Sequence, residues 1–267
     1  MNEPEAVTFA IISNAPAAAA LLEAVCEELK TRAQLDVEPL VLRSYDKLLG
    51  AMRDGQVHIA WAPPLLALDL ERESAAEIKL CSRRAGKTDY SCALFVPSAS
   101  RIRVLDDLHG ARVAWVAKES SAGYVVPRLR LVAEGLDPDT LFEEQTFRRT
   151  HEAVVKAVMT GDADVGATFA AFPDVDSMVA LSSGWLDAGI SNDRVRVVAR
   201  AGPIPSDVIA VSTRVGRSRA TEITTALRDL GEPVFKLLNA DGFVMPDKVY
   251  FDELRRLVMR AHESRPQ

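Results

Sequence analysis

Short apolar runs alternate along the chain with stretches in which apolar positions recur every three or four residues. Val7–Ile12 is apolar except for Thr8 and predicts a strand. Pro16 opens a helix, in which Leu21, Val25 and Leu29 recur at four-residue spacing beside Leu22 and Cys26. Val37–Leu42 predicts the second strand. Ser44 caps a helix with Tyr45, Leu48, Leu49 and Met52 on one face, and Gly55 stops it. Val57–Ala62 is the third strand, and Pro63-Pro64 starts the next helix. Strands that are apolar throughout predict a parallel sheet covered on both faces, with ligands at the carboxyl ends of its strands.

Strands near Glu77–Leu80 and Tyr90–Val96 follow, and Pro97-Ser98-Ala99-Ser100 marks a break. A second series then begins. It comprises a turn at Leu105–Leu108, a strand at Ala111–Val116 and a helix from about Ala122 to Ala133, closed by Gly135 and Pro138. After a strand near Glu144–Thr146, Thr150 caps a helix with Val154, Val155, Val158 and Met159 on one face. Gly161 stops it before a strand at Ala163–Ala167. Arg194–Val198 and Val208–Ser212 are further strands. Two helices finish the chain, one carrying Ala220, Ile223, Leu227 and Leu230 and the other Leu254, Leu257 and Val258. A tail of two helices and at most one strand cannot stand as a domain, so it is expected to return to the first block. The expected fold is α/β in two lobes, residues 1–90 with 205–267 and residues 97–198. The crossings fall near 90–96 and 198–208, with a ligand cleft between the lobes.

Composition narrows the function. The 267 residues are 48% hydrophobic and 26% charged, as in an ordinary globular protein. A net charge of −6 and 6% aromatic content disfavour nucleic-acid and acidic-membrane partners. Three cysteines cannot all pair, no CxxC occurs, and there are only 4 histidines, so no metal and no cofactor is expected. No apolar stretch approaches membrane-spanning length. The acidic start Met1-Asn2-Glu3 does not read as a secretory signal. The expected location is the cytoplasm if Met1 is native, or the periplasm if an export signal was removed ahead of it.

Several motif-like segments fail on chemistry. Gly86-Lys87-Thr88 ends like a P-loop but has Cys81 where the first glycine belongs. His151-Glu152 opens like a zincin helix but has Val155 in place of the second histidine. Gly161–Gly166 carries two acids at alternate positions without the far glutamate of an EF-hand. No GxSxG is present.

The segment Lys118–Tyr124, KESSAGY, follows a strand and precedes a helix. Serine hydroxyls and a glycine at a helix start suit an oxyanion, because free N–H groups and the positive dipole end meet there. A plain serine cap has the same pattern. Arg83, Arg84 and Lys87 read as a solvated basic stretch or as an anion-attracting rim.

Five segments in order resemble the phosphonate/phosphite-binding family of substrate-binding proteins, receptors of ABC importers with the type II periplasmic-binding fold. They are Tyr45–Met52 leading into Val57–Pro63; Asp89-Tyr90; Glu119–Tyr124 with Pro127; His151–Val158 continuing to Gly161–Ala167; and Pro203–Asp207. The resemblance implies that Ser120 and Ser121 hold an oxyanion, with Ala122 and Gly123 supplying N–H groups. It implies that Tyr45 and Tyr90 line the site, that His151 faces the ligand, and that Asp207 meets a ligand amine. Two departures stand out. Ala122 sits where the family often has a third hydroxyl, and Thr168-Phe169 sits where aminoalkylphosphonate binders place a carboxylate. The expected ligand is therefore a simple anion, since a buried ammonium without a counter-charge is costly.

The expected function is non-catalytic. The chain is a monomeric receptor that closes around a small oxyanion such as phosphonate, phosphite or phosphate, and serves an ABC permease. The alternatives are a cytoplasmic enzyme on the same fold, like the chorismate dehydratases, with His151 or Asp207 as acid or base, and a cytoplasmic ligand-sensing module.

Overall fold

The structure is a computed structural model that describes residues 7–13, 16–84, 86–118, 120–174, 176–247 and 249–263. Glu119 of the serine turn lies outside the described residues. The chain divides into two compact units, Met1–Thr88 with Pro205–Lys248 and Asp89–Ile204 with Val249–Gln267.

In chain order the first elements are β1 (Val7–Ile12), α1 (Ala18–Ala33), β2 (Val37–Leu42), α2 (Tyr45–Arg53), β3 (Ile59–Ala62), α3 (Pro64–Arg72), β4 (Ala76–Arg83) and β5 (Asp89–Pro97). Next come β6 (Arg112–Trp115), α4 (Val126–Ala133), α5 (Pro138–Leu141), β7 (Glu144–Phe147), α6 (His151–Thr160), β8 (Val165–Ala171), β9 (Ser182–Ser183) and α7 (Gly184–Asp187). The last are β10 (Val195–Pro205), β11 (Val208–Ser212), α8 (Arg217–Asp229), α9 (Glu232–Leu238), β12 (Gly242–Val244) and α10 (Asp252–Glu263).

The first unit holds a sheet in the order β12-β4-β11-β3-β1-β2. Strand β1 pairs in parallel with both β2 and β3, in keeping with its largely apolar sequence and central place in the sheet. Strand β11 inserts antiparallel between β3 and β4. The buried stripe of α1, formed by Leu22, Val25, Cys26 and Leu29, packs with Phe9, Ile11, Ile59, Ile223 and Leu227 in one core. Truncating one of these leucines to Ala costs about 2–5 kcal/mol.

The second unit holds a sheet in the order β10-β5-β8-β6-β7. Strand β6 runs parallel to β7 and β8, and β5 runs antiparallel to β8. One core, around Phe95 and Trp185, lies on the α6 face; the other, around Trp115 and Leu131, lies on the α4 face.

Two expectations change. The sequence assigns 205–267 to the first lobe, but α10 packs on α4 in the second unit, so the chain passes between units three times. Residues 251–258 carry an apolar stripe that suits either unit, so the pattern alone cannot choose. The tail also holds more than two helices: α9 and the three-residue β12 were not foreseen, because Gly231, Pro233 and Gly242 read as loop punctuation. Residues expected as a short strand and a crossing form one eleven-residue strand, β10.

Candidate functional site

Parallel strands bring the ends of successive loops to one sheet edge. In the second unit Trp115 of β6 is level with Phe147 of β7, so the segments after both strands emerge together. The pairing continues beyond the strands, since the N–H groups of Arg148 and Arg149 donate to the carbonyls of Trp115 (2.8 Å) and Val116 (2.8 Å). The serine turn follows β6, and His151 opens α6 after β7. Ser91 pairs with Ala170 at the end of β8, which sets Tyr90, half-buried on β5, at the same edge. Ser120, Ser121, Ala122, Gly123, Tyr90 and His151 thus belong to one edge of one sheet.

The turn has an unusual helix start. Residues Ser121–Val125 form one π-helical turn ahead of α4, closed by Val125 N–H donating to the Ser120 carbonyl (2.9 Å). Such insertions are frequent at functional positions. Ser120 is the cap, its Oγ accepting from the Gly123 N–H at 3.0 Å. The expectation that the Gly123 N–H serves an oxyanion is therefore corrected: the cap already uses it. Accepting that bond leaves the Ser120 hydroxyl proton free to donate elsewhere. Among the described residues the N–H groups of Ser121 and Ala122 have no acceptor. Ser121 is buried to 9% exposure. Gly123 is required by space, because a Cβ there would lie 2.3 Å from Val116 Cγ2.

Thr150 caps α6 through the Ala153 N–H at 3.1 Å, which places His151 at the first helical position. Its Nδ1 lies 2.9 Å from Thr168 Oγ1, and its ring meets Phe169 edge-on at 5.0 Å. Burial lowers the His151 pKa below the ordinary imidazole value, with Asp187 opposing, so the ring is neutral near pH 7. Thr168 is the functional neighbour that sequence reasoning missed. It was visible only as a departure from the family pattern, and no spacing rule links residues 151 and 168.

The two remaining candidates lie in the first unit. Tyr45 is half-buried at the start of α2, beyond the carboxyl end of β2, behind a Ser44 cap that accepts from the Lys47 N–H at 3.4 Å. Asp207 sits just before β11, where Val208 pairs with Ala62 and Cys81, so it too lies at a strand-end edge. Its carboxylate accepts from Arg84 Nη2 at 2.8 Å. Burial raises the Asp207 pKa and the Arg84 guanidinium pulls it back. Arg83 pairs with Asp241 at 2.9 Å. The expected ammonium partner is therefore engaged within the protein, and Arg83 and Arg84 are held in ion pairs within the first unit. Trp61, beyond the middle of β3, packs against the first unit's core.

The family model described as ABC transporter, phosphonate, periplasmic substrate-binding protein matches residues 9–250. The chain belongs to this family. It is a solute-binding protein of the phosphonate transporter type, and the family is periplasmic. Solved structures share the fold of this chain. A Xanthomonas citri protein bound to ATP superposes with a TM-score of 0.78 at 21% identity, covering 98% of each chain. A binding protein component of an ABC phosphonate transporter from Pseudomonas aeruginosa gives 0.69 at 18% identity, over 98% of this chain and 88% of that one. PhnD1 from Prochlorococcus marinus, in complex with methylphosphonate, gives 0.67 at 14%, over 97% and 99%. The type II periplasmic-binding architecture expected from sequence is thereby shown. No helix among the described residues is long and apolar enough to cross a membrane.

Proposed function

We propose that the protein captures a small phosphoryl or phosphonyl oxyanion at the serine turn of its second unit and delivers it to an ABC permease in the periplasm, after export. The observation that carries this reading is the set of donors at the turn: the Ser121 and Ala122 N–H groups, without acceptors among the described residues, beside the Ser120 and Ser121 hydroxyls. His151 and Tyr90 join the set at the same sheet edge. ATP and methylphosphonate, held by two proteins of the same fold, share the phosphorus-bound oxygens that such donors suit. The engaged state of Asp207 and the absence of a carboxylate at Thr168-Phe169 favour a ligand without an ammonium group.

Thermal unfolding with inorganic phosphate, methylphosphonate, 2-aminoethylphosphonate, methanesulfonate and ATP tests this. A ligand at a hundred times its Kd stabilises by about 2.7 kcal/mol. The expected result is a raised Tm with methylphosphonate or phosphate and a smaller rise with the aminoalkyl compound. No shift with any phosphorus oxyanion overturns the reading.

A further inference from the structure

The contact between His151 and Thr168 has only one arrangement that satisfies both groups. Thr168 is fully buried, at 0% exposure, and its Oγ1 has no hydrogen-bond partner among the described residues except His151 Nδ1. If the ring donated through Nδ1, the hydroxyl proton of Thr168 would be buried with no acceptor, which a folded protein avoids. If Thr168 donates instead, its proton is bonded and Nδ1 serves as the acceptor. The ring then carries its one proton on Nε2. The packing holds this pair in place. Gly184 approaches so closely that a Cβ would lie 2.1 Å from Thr168 Oγ1 and 3.4 Å from His151 Cβ, and Phe169 meets the ring edge-on.

We infer that Thr168 is a positioning residue that holds His151 as the Nε2–H tautomer, so that the histidine meets the ligand as a hydrogen-bond donor to an oxygen lone pair. The inference rests on the proposed anion site. Ser120 is set the same way, since its oxygen accepts from Gly123 and its proton remains for an acceptor. The same strand position that lacks a carboxylate for an ammonium thus acts indirectly on the anion.

Long-range proton–nitrogen spectra of histidine-labelled, ligand-free protein, recorded well above the imidazole titration range, test the tautomer. His151 is assigned by the signal lost in His151→Gln. The expected spectrum shows an unprotonated Nδ1 and a protonated Nε2. Thr168→Val keeps the shape but removes the proton, and it is expected to give a mixed tautomer and a loss of methylphosphonate affinity of about tenfold by calorimetry. Thr168→Ser is expected to restore both, which a purely steric role would not require. An Nδ1–H tautomer in the wild type, an unchanged tautomer in Thr168→Val, or full methylphosphonate affinity in His151→Phe overturns the inference. Failure of the anion site itself is separable: it appears as no methylphosphonate binding to the wild type, while the tautomer is read without ligand.

Discussion

Arg84 Nη2 lies 2.8 Å from Asp207 Oδ2, and the same guanidinium donates to the carbonyls of Leu238 at 3.0 Å and Asn239 at 2.7 Å. One side chain therefore ties the end of β4 to the start of β11 and to the carboxyl end of α9, where a cation also complements the helix dipole.

Asp207→Asn should consequently act on stability more than on binding. Losing the charge of one partner in a partly buried, hydrogen-bonded pair is expected to cost about 1–3 kcal/mol. Denaturant unfolding should show the loss, while methylphosphonate affinity changes less than about threefold. A large affinity loss at unchanged stability would place Asp207 on the ligand.

Ser120 and Ser121 should carry the anion. Each charge-assisted hydrogen bond is worth about 1.5–3 kcal/mol, so Ser121→Ala should weaken phosphonate binding about tenfold or more. The double alanine variant should lose one to a few powers of ten. Ser120→Ala should also cost about 1 kcal/mol of stability, because Gly123 loses its cap. Calorimetry and chemical unfolding on the same samples separate the two effects.

Gly123→Ala should damage the turn without removing any polar group. The new Cβ would sit 2.3 Å from Val116 Cγ2 and 2.8 Å from Ser120 Oγ. Relief requires the turn to shift at a cost of about 1–3 kcal/mol, and anion affinity should fall with it. Full affinity in this variant would mean that the turn's geometry is irrelevant to binding.

His58 offers a pH test in the first unit. It is buried at 8% exposure, and its Nδ1 accepts the Thr8 N–H at 3.1 Å. Burial, then Arg214 and Arg219, lowers its pKa in the folded state. The unfolded chain therefore binds the proton more readily, and this contribution to stability is present above about pH 6.5 and lost as pH falls below it. His58→Asn keeps an acceptor for Thr8 but does not titrate. The difference in Tm between wild type and variant should move toward the variant on acidification from pH 8 to 5. A pH-independent difference would remove His58 as the cause.

The sequence shows most of the first unit because its strands are apolar runs punctuated by glycine and proline. Val7–Ile12, Val37–Leu42 and the Ser44 cap lie where the pattern puts them, as does the Thr150 cap in the second unit. The serine turn was legible as a helix start, but its π-helical geometry was not, because the extra residue depends on Val116 packing under Gly123. Strand β8 is shifted toward residue 171, since Phe169 and Ala170 pair with Cys92 and Ser91, a register no local pattern announces. The Arg84–Asp207 and His151–Thr168 pairs join residues 123 and 17 positions apart, and only the folded sheets bring them together.

The strand order of the first unit has a consequence for synthesis. Strand β11 is wedged between β3 and β4, and β12 completes the far edge, yet both emerge from the ribosome long after their neighbours. The second unit likewise waits for α10 to cover α4. A chain that lacks these elements therefore leaves β3 with an open edge and β4 with no strand partner in the first sheet, and a bare α4 face in the second unit. Such edges and faces are what holding chaperones bind and what other chains pair with. Neither unit is complete until β11, β12 and α10 have been made, so the growing chain needs protection up to that point.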